Sequence, residues 1–267
     1  MKPFRLMSLL AAAIIGVMLA FPSRAANSPP PMTANDLASR LSALRQNGAS
    51  YVRLRMEIKG ATKETLQLQI KERLTKDSSE VVYQVLYPKE RKGESVLLRK
   101  TGTLPASGSV LVPQNTVRPI DDLKEPMFGS DLSYEDVIDN FFGWEQQAIV
   151  STQEVQGVKC TILESKPGKD EHSTYSSVRS WIDVRRLVPL RVEKYARSGQ
   201  LLRRIDTTRV IADAGRHIPA DLTVAGARPD SSTLIDGSRI KHNMTYTDHD
   251  FTVEGLKEIA LPRTSPD

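Results

Sequence analysis

Residues 51–60 read YVRLRMEIKG. Apolar and charged side chains alternate. Val52, Leu54, Met56 and Ile58 fall on one face, and Arg53, Arg55, Glu57 and Lys59 on the other. A period of two belongs to a β-strand, and a strand with one greasy face needs a sheet and a core. The alternation returns at Leu66, Leu68 and Ile70 in LQLQIKERL. VVYQVLYP and SVLLRKTG follow, with the charged turn KERKGE between them. Runs this close, joined by short polar turns, predict an antiparallel meander.

The pattern extends outward in both directions. Upstream, Leu37, Leu41 and Leu44 recur at helical spacing; Thr33 or Asn35 supplies a cap, and Asn47-Gly48 a stop. Downstream, residues 104–123 are broken by Pro105, Pro113 and Pro119, with one short strand around Val110-Leu111. Alternating runs resume at QQAIVSTQEV and VKCTILESKP, which flank Gln156-Gly157, and continue to TLIDGSRIKHNMTYTD. The count is roughly ten strands against two or three helical pieces. Open twisted sheets rarely exceed about 10 strands, so this one is expected to curl into a barrel or half barrel.

The N-terminus predicts export. Lys2 and Arg5 precede an apolar run from Leu9 to Phe21, and Ser23-Arg24-Ala25 offers the small residues of a cleavage site after Ala25. The run is shorter than the roughly 20 residues that span a bilayer, so residues 1–25 read as a cleavable signal peptide. Residues 26–32 are a proline-rich, flexible lead-in, and 33–267 a single domain. Removal of Lys2, Arg5 and Arg24 leaves 34 basic against 32 acidic residues, a net charge of +2 in place of +5. The bases are interleaved with acids, which argues against nucleic acid as a partner.

Enzyme chemistry finds no motif. His172, His217, His242 and His249 lack metal-ligand spacing, and Asp248-His249-Asp250 reads as a solvated turn. Nucleophile-elbow, phosphate-loop and dinucleotide fingerprints are missing. Cys160, the only cysteine, lies in the strand-like VKCTILE and reads as a buried thiol. The expectation is a non-enzyme with no cofactor and no metal.

One stretch breaks the β pattern: residues 127–144, MFGSDLSYEDVIDNFFGW. Ser133 and Asp136 fit a capping box, and Glu135 and Asp136 offset the dipole of a short helix. Met127, Phe128, Phe141, Phe142 and Trp144 bracket that helix, whose inner face is Val137, Ile138, Phe141 and Phe142. These side chains either fill a core or close a cavity; periodicity does not choose.

The run SWIDVRRLVPLRVEKYARSGQLLRRIDTTRV, followed by HIPADLTV, resembles the LolA-like superfamily. That family's W-x-D, P-L-R-x-E-x-Y and I-P pattern falls here on Trp181, Asp183, Pro189, Leu190, Arg191, Glu193, Tyr195, Gly199, Ile218 and Pro219. YQVLYPKERKGESVLLRKTG and MFGSDLSYEDV resemble its outer membrane lipoprotein-sorting branch. The resemblance covers about residues 33–262. It implies a mainly β fold with helices: a curved, incomplete antiparallel β-barrel covered by a helical lid. It further implies a monomeric periplasmic carrier or chaperone that binds lipid or lipoprotein acyl chains for delivery toward the outer membrane, between an inner-membrane exporter and an outer-membrane acceptor. On this reading Leu54, Met56, Leu68, Val85 and Leu97 line the cavity. Met127, Phe128, Ile138, Phe141, Phe142 and Trp144 form the lid, and Arg53 or Arg55 latches it. The alternative is an RseB-like sensor module that recognises a protein partner.

Overall fold

The computed structural model describes residues 32–45, 48–112, 116–226, 228, 230–259 and 263–264. The signal peptide, its cleavage site, the lead-in before Met32, Asn47 and Pro113 lie outside the described residues. Helix α1 (Ala34–Arg45) opens on the first of its two candidate caps. The Asp36 amide donates to Thr33 Oγ1 at 3.1 Å and the Thr33 amide to Asp36 Oδ2 at 3.3 Å. Its buried face is Leu37, Ala38 and Leu41.

Six strands follow: β1 (Gly48–Lys59), β2 (Lys63–Leu74), β3 (Ser78–Tyr87), β4 (Ser95–Thr101), β5 (Ser107–Val112) and β6 (Thr116–Pro119). A crossing segment then carries α2 (Tyr134–Ile138) between two 3-10 turns, Met127–Gly129 and Phe141–Gly143. Seven more strands return: β7 (Gln146–Val155), β8 (Val158–Lys166), β9 (Ser177–Asp183), β10 (Val188–Tyr195), β11 (Leu201–Asp213), β12 (Arg216–Ala225) and β13 (Ser232–His242).

All thirteen belong to one antiparallel sheet, ordered β6-β5-β4-β3-β2-β1-β13-β12-β11-β10-β9-β8-β7. The chain builds outward from the middle to the β6 edge, crosses to the β7 edge, and works back until β13 pairs with β1. The sheet is curved and does not close. Because β6 and β7 are the two edges, residues 120–145 must pass over one face of the sheet to connect them. We call that face the inner one.

Register explains the inner core. Met56 pairs with Leu66, Leu54 with Leu68 and Val52 with Ile70, so the alternating residues of β1 and β2 stand side by side. Leu68 pairs in turn with Val85 on β3. These residues join Val96, Leu98, Val110, Val224 and Ile235 in one cluster, against which the crossing segment packs. Leu54, Met56, Leu68 and Val85 therefore share the inner face.

Leu97 does not. It packs with Val82, Leu111, Phe251 and Leu256 on the outer face, so its assignment to the inner cavity is corrected. The physical reason is that Ser95, Val96, Leu97 and Leu98 are all buried. A continuous apolar run in a strand covered on both sides carries no information about faces.

The outer cover is C-terminal: β14 (Met244–Thr245), a 3-10 turn (Asp248–Phe251) and α3 (Val253–Leu256); β14 also pairs with β15 (Arg263–Thr264). Buried polar groups hold this cover. Gln69 donates to Gln84 at 2.6 Å, Gln84 to the Leu256 carbonyl at 2.9 Å, and Lys71 to Asp250 at 2.8 Å.

Candidate functional site: a latched segment over the inner face

The crossing segment is built by local rules that the sequence states. Phe128 and Gly129 adopt left-handed conformations (φ 54° and 79°), which reverse the chain ahead of α2. Helix α2 has five residues, too few to stand alone in water. Its capping box is complete: the Asp136 amide donates to Ser133 Oγ at 3.2 Å and the Ser133 amide to Asp136 Oδ2 at 2.8 Å.

Packing supplies the rest. Met127, Phe128, Leu132, Tyr134 and Ile138 are buried on the inner-face cluster. Phe142 packs against Leu37, Ala38 and Leu41 of α1 and against Leu163 and Ile182. Trp144 packs with Tyr175, Val178 and Val192. Half-buried Phe141 joins both groups, its ring 4.5 Å from Phe142 and 6.3 Å from Trp144. The six aromatic and apolar residues singled out in the sequence thus fill space against the sheet. Pockets of about 310 and 400 Å3 flank the two ends of the segment.

Four acids of the segment, Asp131, Glu135, Asp136 and Asp139, are anchored, each to a different part of the frame. Asp131 accepts from Thr233 (2.9 Å), Ser231 (2.5 Å) and Arg228 (3.3 Å). Glu135 accepts from Ser173 Oγ (2.5 Å), the Thr174 amide (2.9 Å) and the Thr174 hydroxyl, all in the loop between β8 and β9. Asp139 accepts from Lys100 on β4 at 2.5 Å, and its carbonyl from Arg45 of α1.

Asp136 is the centre. Its carboxylate, sealed from solvent, accepts from the Ser133 amide and hydroxyl, Tyr175 (2.8 Å), Lys194 of β10 (2.8 Å) and Arg203 of β11 (2.9 Å). Burial alone pushes its pKa up, but Lys194 and Arg203 outweigh burial and hold it at about 2. Tyr175 is pushed above the ordinary tyrosine range, first by burial and then by the charge of Asp136. The Lys194 ammonium also lies over the rings of Tyr175 (4.9 Å) and Phe141 (5.5 Å). A carboxylate this saturated with donors and shut off from water is built to hold, not to react.

The two arginines expected at the latch are elsewhere. Arg53 donates to Tyr51 on the outer face, and Arg55 pairs with Glu57 at 2.9 Å, half exposed. Their parity on β1 is opposite to that of Leu54 and Met56, which turns them away from the crossing segment. Lys194, Arg203, Lys100 and Tyr175 hold the segment instead. One signal of this stood in the sequence. Val188, Leu190, Val192 and Lys194 occupy one face of β10, all buried, and a lysine in phase with a greasy face requires an acid partner.

Elsewhere, Cys160 is fully buried, its thiol pushed up by burial and donating to the Val158 carbonyl. Asp248, His249 and Asp250 face Arg73, Glu258 and Lys71 respectively, all within ion-pair distance. Among the described residues no group of three or more His, Cys, Asp or Glu is placed to hold a metal ion.

A curved antiparallel sheet left open, with the linking segment laid across its inner face, is the LolA-like fold. It is shared with a putative outer membrane lipoprotein-sorting protein domain from Vibrio parahaemolyticus (19% identity, 84% of this chain and 98% of that one, TM-score 0.75). A LolA superfamily protein from Nitrosomonas europaea also has it (18% identity, 82% and 97%, TM-score 0.66). Within that fold the chain belongs to the family whose model, described as an uncharacterized protein, matches residues 77–258. A DUF1329 family protein from Desulfovibrio piger superimposes with a TM-score of 0.77 at 23% identity, covering 84% of this chain and 97% of that one. No curated protein matches the chain in sequence.

Proposed function

We propose that the protein is a non-enzymatic periplasmic carrier, exported by a signal at residues 1–25, that holds a lipid or an acylated polypeptide against its inner face. The crossing segment is its lid, occupying the cargo's place when no cargo is bound. The supporting observation is the division of labour in that segment. Its apolar underside sits on an open greasy sheet, while its attachment is made by discrete polar contacts to β4, β10, β11, β13 and two loops.

Magnitudes make the exchange feasible. Burying Met127, Phe128, Leu132, Tyr134 and Ile138 contributes roughly 1.5–3 kcal/mol each, on the order of 10 kcal/mol together. An acyl chain contributes about 0.8 kcal/mol per buried methylene, so one of about 12–16 methylenes offsets the loss of the lid's underside. Cargo and lid are then competitors of similar strength, as reversible loading requires. The test is to purify the full chain from a periplasm, extract it with organic solvent and identify bound lipid by mass spectrometry. Stoichiometric acyl lipid is the expected result. The reading is overturned if the extract is empty and the Lys194→Met variant, with its lid loosened, still takes up no fluorescent fatty acid.

A further inference from the structure

At the C-terminal end of the lid lies the pocket of about 310 Å3. Its apolar lining includes Ile138 and Leu74, both part of the inner-face core. Its polar walls come from the end of α1, the β2–β3 and β4–β5 turns and the loop after β8. It is therefore a polar mouth adjoining the greasy interior.

The polar side chains of this mouth are unevenly satisfied. Lys100 Nζ bonds Asp139 at 2.5 Å and forms a looser ion pair with Glu171 Oε2 at 3.6 Å, too long for a hydrogen bond. Glu171 Oε2 is buried and accepts no hydrogen bond. Asn140 Oδ1 is in the same position, although its amide nitrogen donates to Ser42 at 2.8 Å. A buried acceptor without a donor is costly, so a ligand that supplies the donor gains by binding there. Burial pushes the Glu171 carboxyl up and the charge of Asp139 adds to this, with Lys100 opposing. Arg45, Lys76 and Lys100 line the pocket against Asp77 and Glu171, and Asp139, just outside the lining, pairs with Lys100, so the charges come close to balance. A charge-balanced pocket with two acceptors that lack a hydrogen-bond donor is complementary to a zwitterion that brings N–H groups.

We propose that this pocket takes the primary-ammonium, phosphoethanolamine-type headgroup of a lipid, its ammonium on Glu171 and Asn140 and its acyl chains on the inner face. The assignment rests on the carrier reading and adds headgroup selectivity to it. A quaternary ammonium has no N–H to give, and an anionic glycerol headgroup would bring its charge to Glu171.

Binding of three short-chain probes to the full chain by calorimetry tests this: dihexanoyl phosphatidylethanolamine, phosphatidylcholine and phosphatidylglycerol. The expected order places the ethanolamine lipid about tenfold tighter than either other, a preference equal to ~1.4 kcal/mol. Glu171→Gln is expected to abolish the preference, weakening the ethanolamine lipid and relieving the repulsion of phosphatidylglycerol. Equal affinities for all three lipids, or a preference that survives Glu171→Gln, overturns the headgroup assignment and leaves the carrier standing. Binding of free phosphoethanolamine with no gain from acyl chains upholds the pocket and removes the carrier. Failure of every probe to bind overturns both.

Discussion

Lys194 Nζ lies 2.8 Å from Asp136 Oδ1, with both side chains sealed from solvent, and it joins the sheet to the segment that crosses it. Arg203 reaches the other oxygen of the same carboxylate at 2.9 Å. A buried pair of this kind roughly breaks even against an apolar pair of the same size, but loss of one partner strands a charge. The latch therefore specifies where the lid sits more than it adds to stability. Its contacts are few and polar, so they can be exchanged without dismantling the sheet.

Lys194→Met is expected to destabilise the protein by about 3 kcal/mol, because Asp136 keeps Arg203 and Tyr175 but loses its closest cation. The double variant Asp136→Asn, Lys194→Met should be less destabilised than the two single effects summed, since no charge is left stranded. Urea denaturation of the four proteins measures the coupling. Strict additivity would show that the pair does not act as a unit.

Acid should release the lid. The folded pKa of Asp136, about 2, lies below its ordinary 3.8. A depressed carboxylate contributes stability that is complete above the unfolded value and is lost as pH falls through the folded one. The contribution, on the order of 2 kcal/mol, should thus be intact at pH 5 and disappear between about pH 4 and pH 2. Urea midpoints across that range measure it. Asp136→Asn should flatten the slope in this window, and an unchanged slope would remove Asp136 as its source.

Legibility followed burial. β1 and β2 were readable because each has one greasy face and one wet face, and the pairing of Leu54 with Leu68 and Met56 with Leu66 bears that out. β4 was not, because both its faces are covered and Leu97 and Leu98 look alike in sequence. The aromatics of the crossing segment and its capping box were visible because they are local. The latch was not, because Lys194 and Arg203 lie 58 and 67 residues from Asp136, a distance only the sheet order closes. Arg53 and Arg55 were misplaced by the resemblance: the inner-face alternation of β1 already turned them outward.

The two leucines of β4 should separate the two covers of the sheet. Leu97→Ala and Leu98→Ala each remove a fully buried side chain, at an expected 2–5 kcal/mol. Leu97→Ala opens space beneath Phe251 and Leu256, so its amide exchange should quicken across residues 248–256. Leu98→Ala opens space beneath the lid, so its faster exchange should fall on residues 127–138. Hydrogen exchange read by mass spectrometry distinguishes them, and the same peptides responding to both would overturn the assignment of faces.

The latch itself can be set against the arginines that the family resemblance suggested. Arg55 is half exposed and pairs only with Glu57 among the described contacts, so Arg55→Ala should change stability by no more than about 0.5 kcal/mol. It should leave exchange in residues 127–144 as it is. Arg203 is largely buried and donates to Asp136, and Arg203→Ala leaves that carboxylate with one cation in place of two. Exchange in residues 127–144 should then quicken about tenfold, equivalent to roughly 1.4 kcal/mol of lost protection, while the β1–β2 hairpin stays protected. If Arg55→Ala loosened the lid and Arg203→Ala did not, the holding charges would lie on β1, against the register that places Arg55 on the outer face.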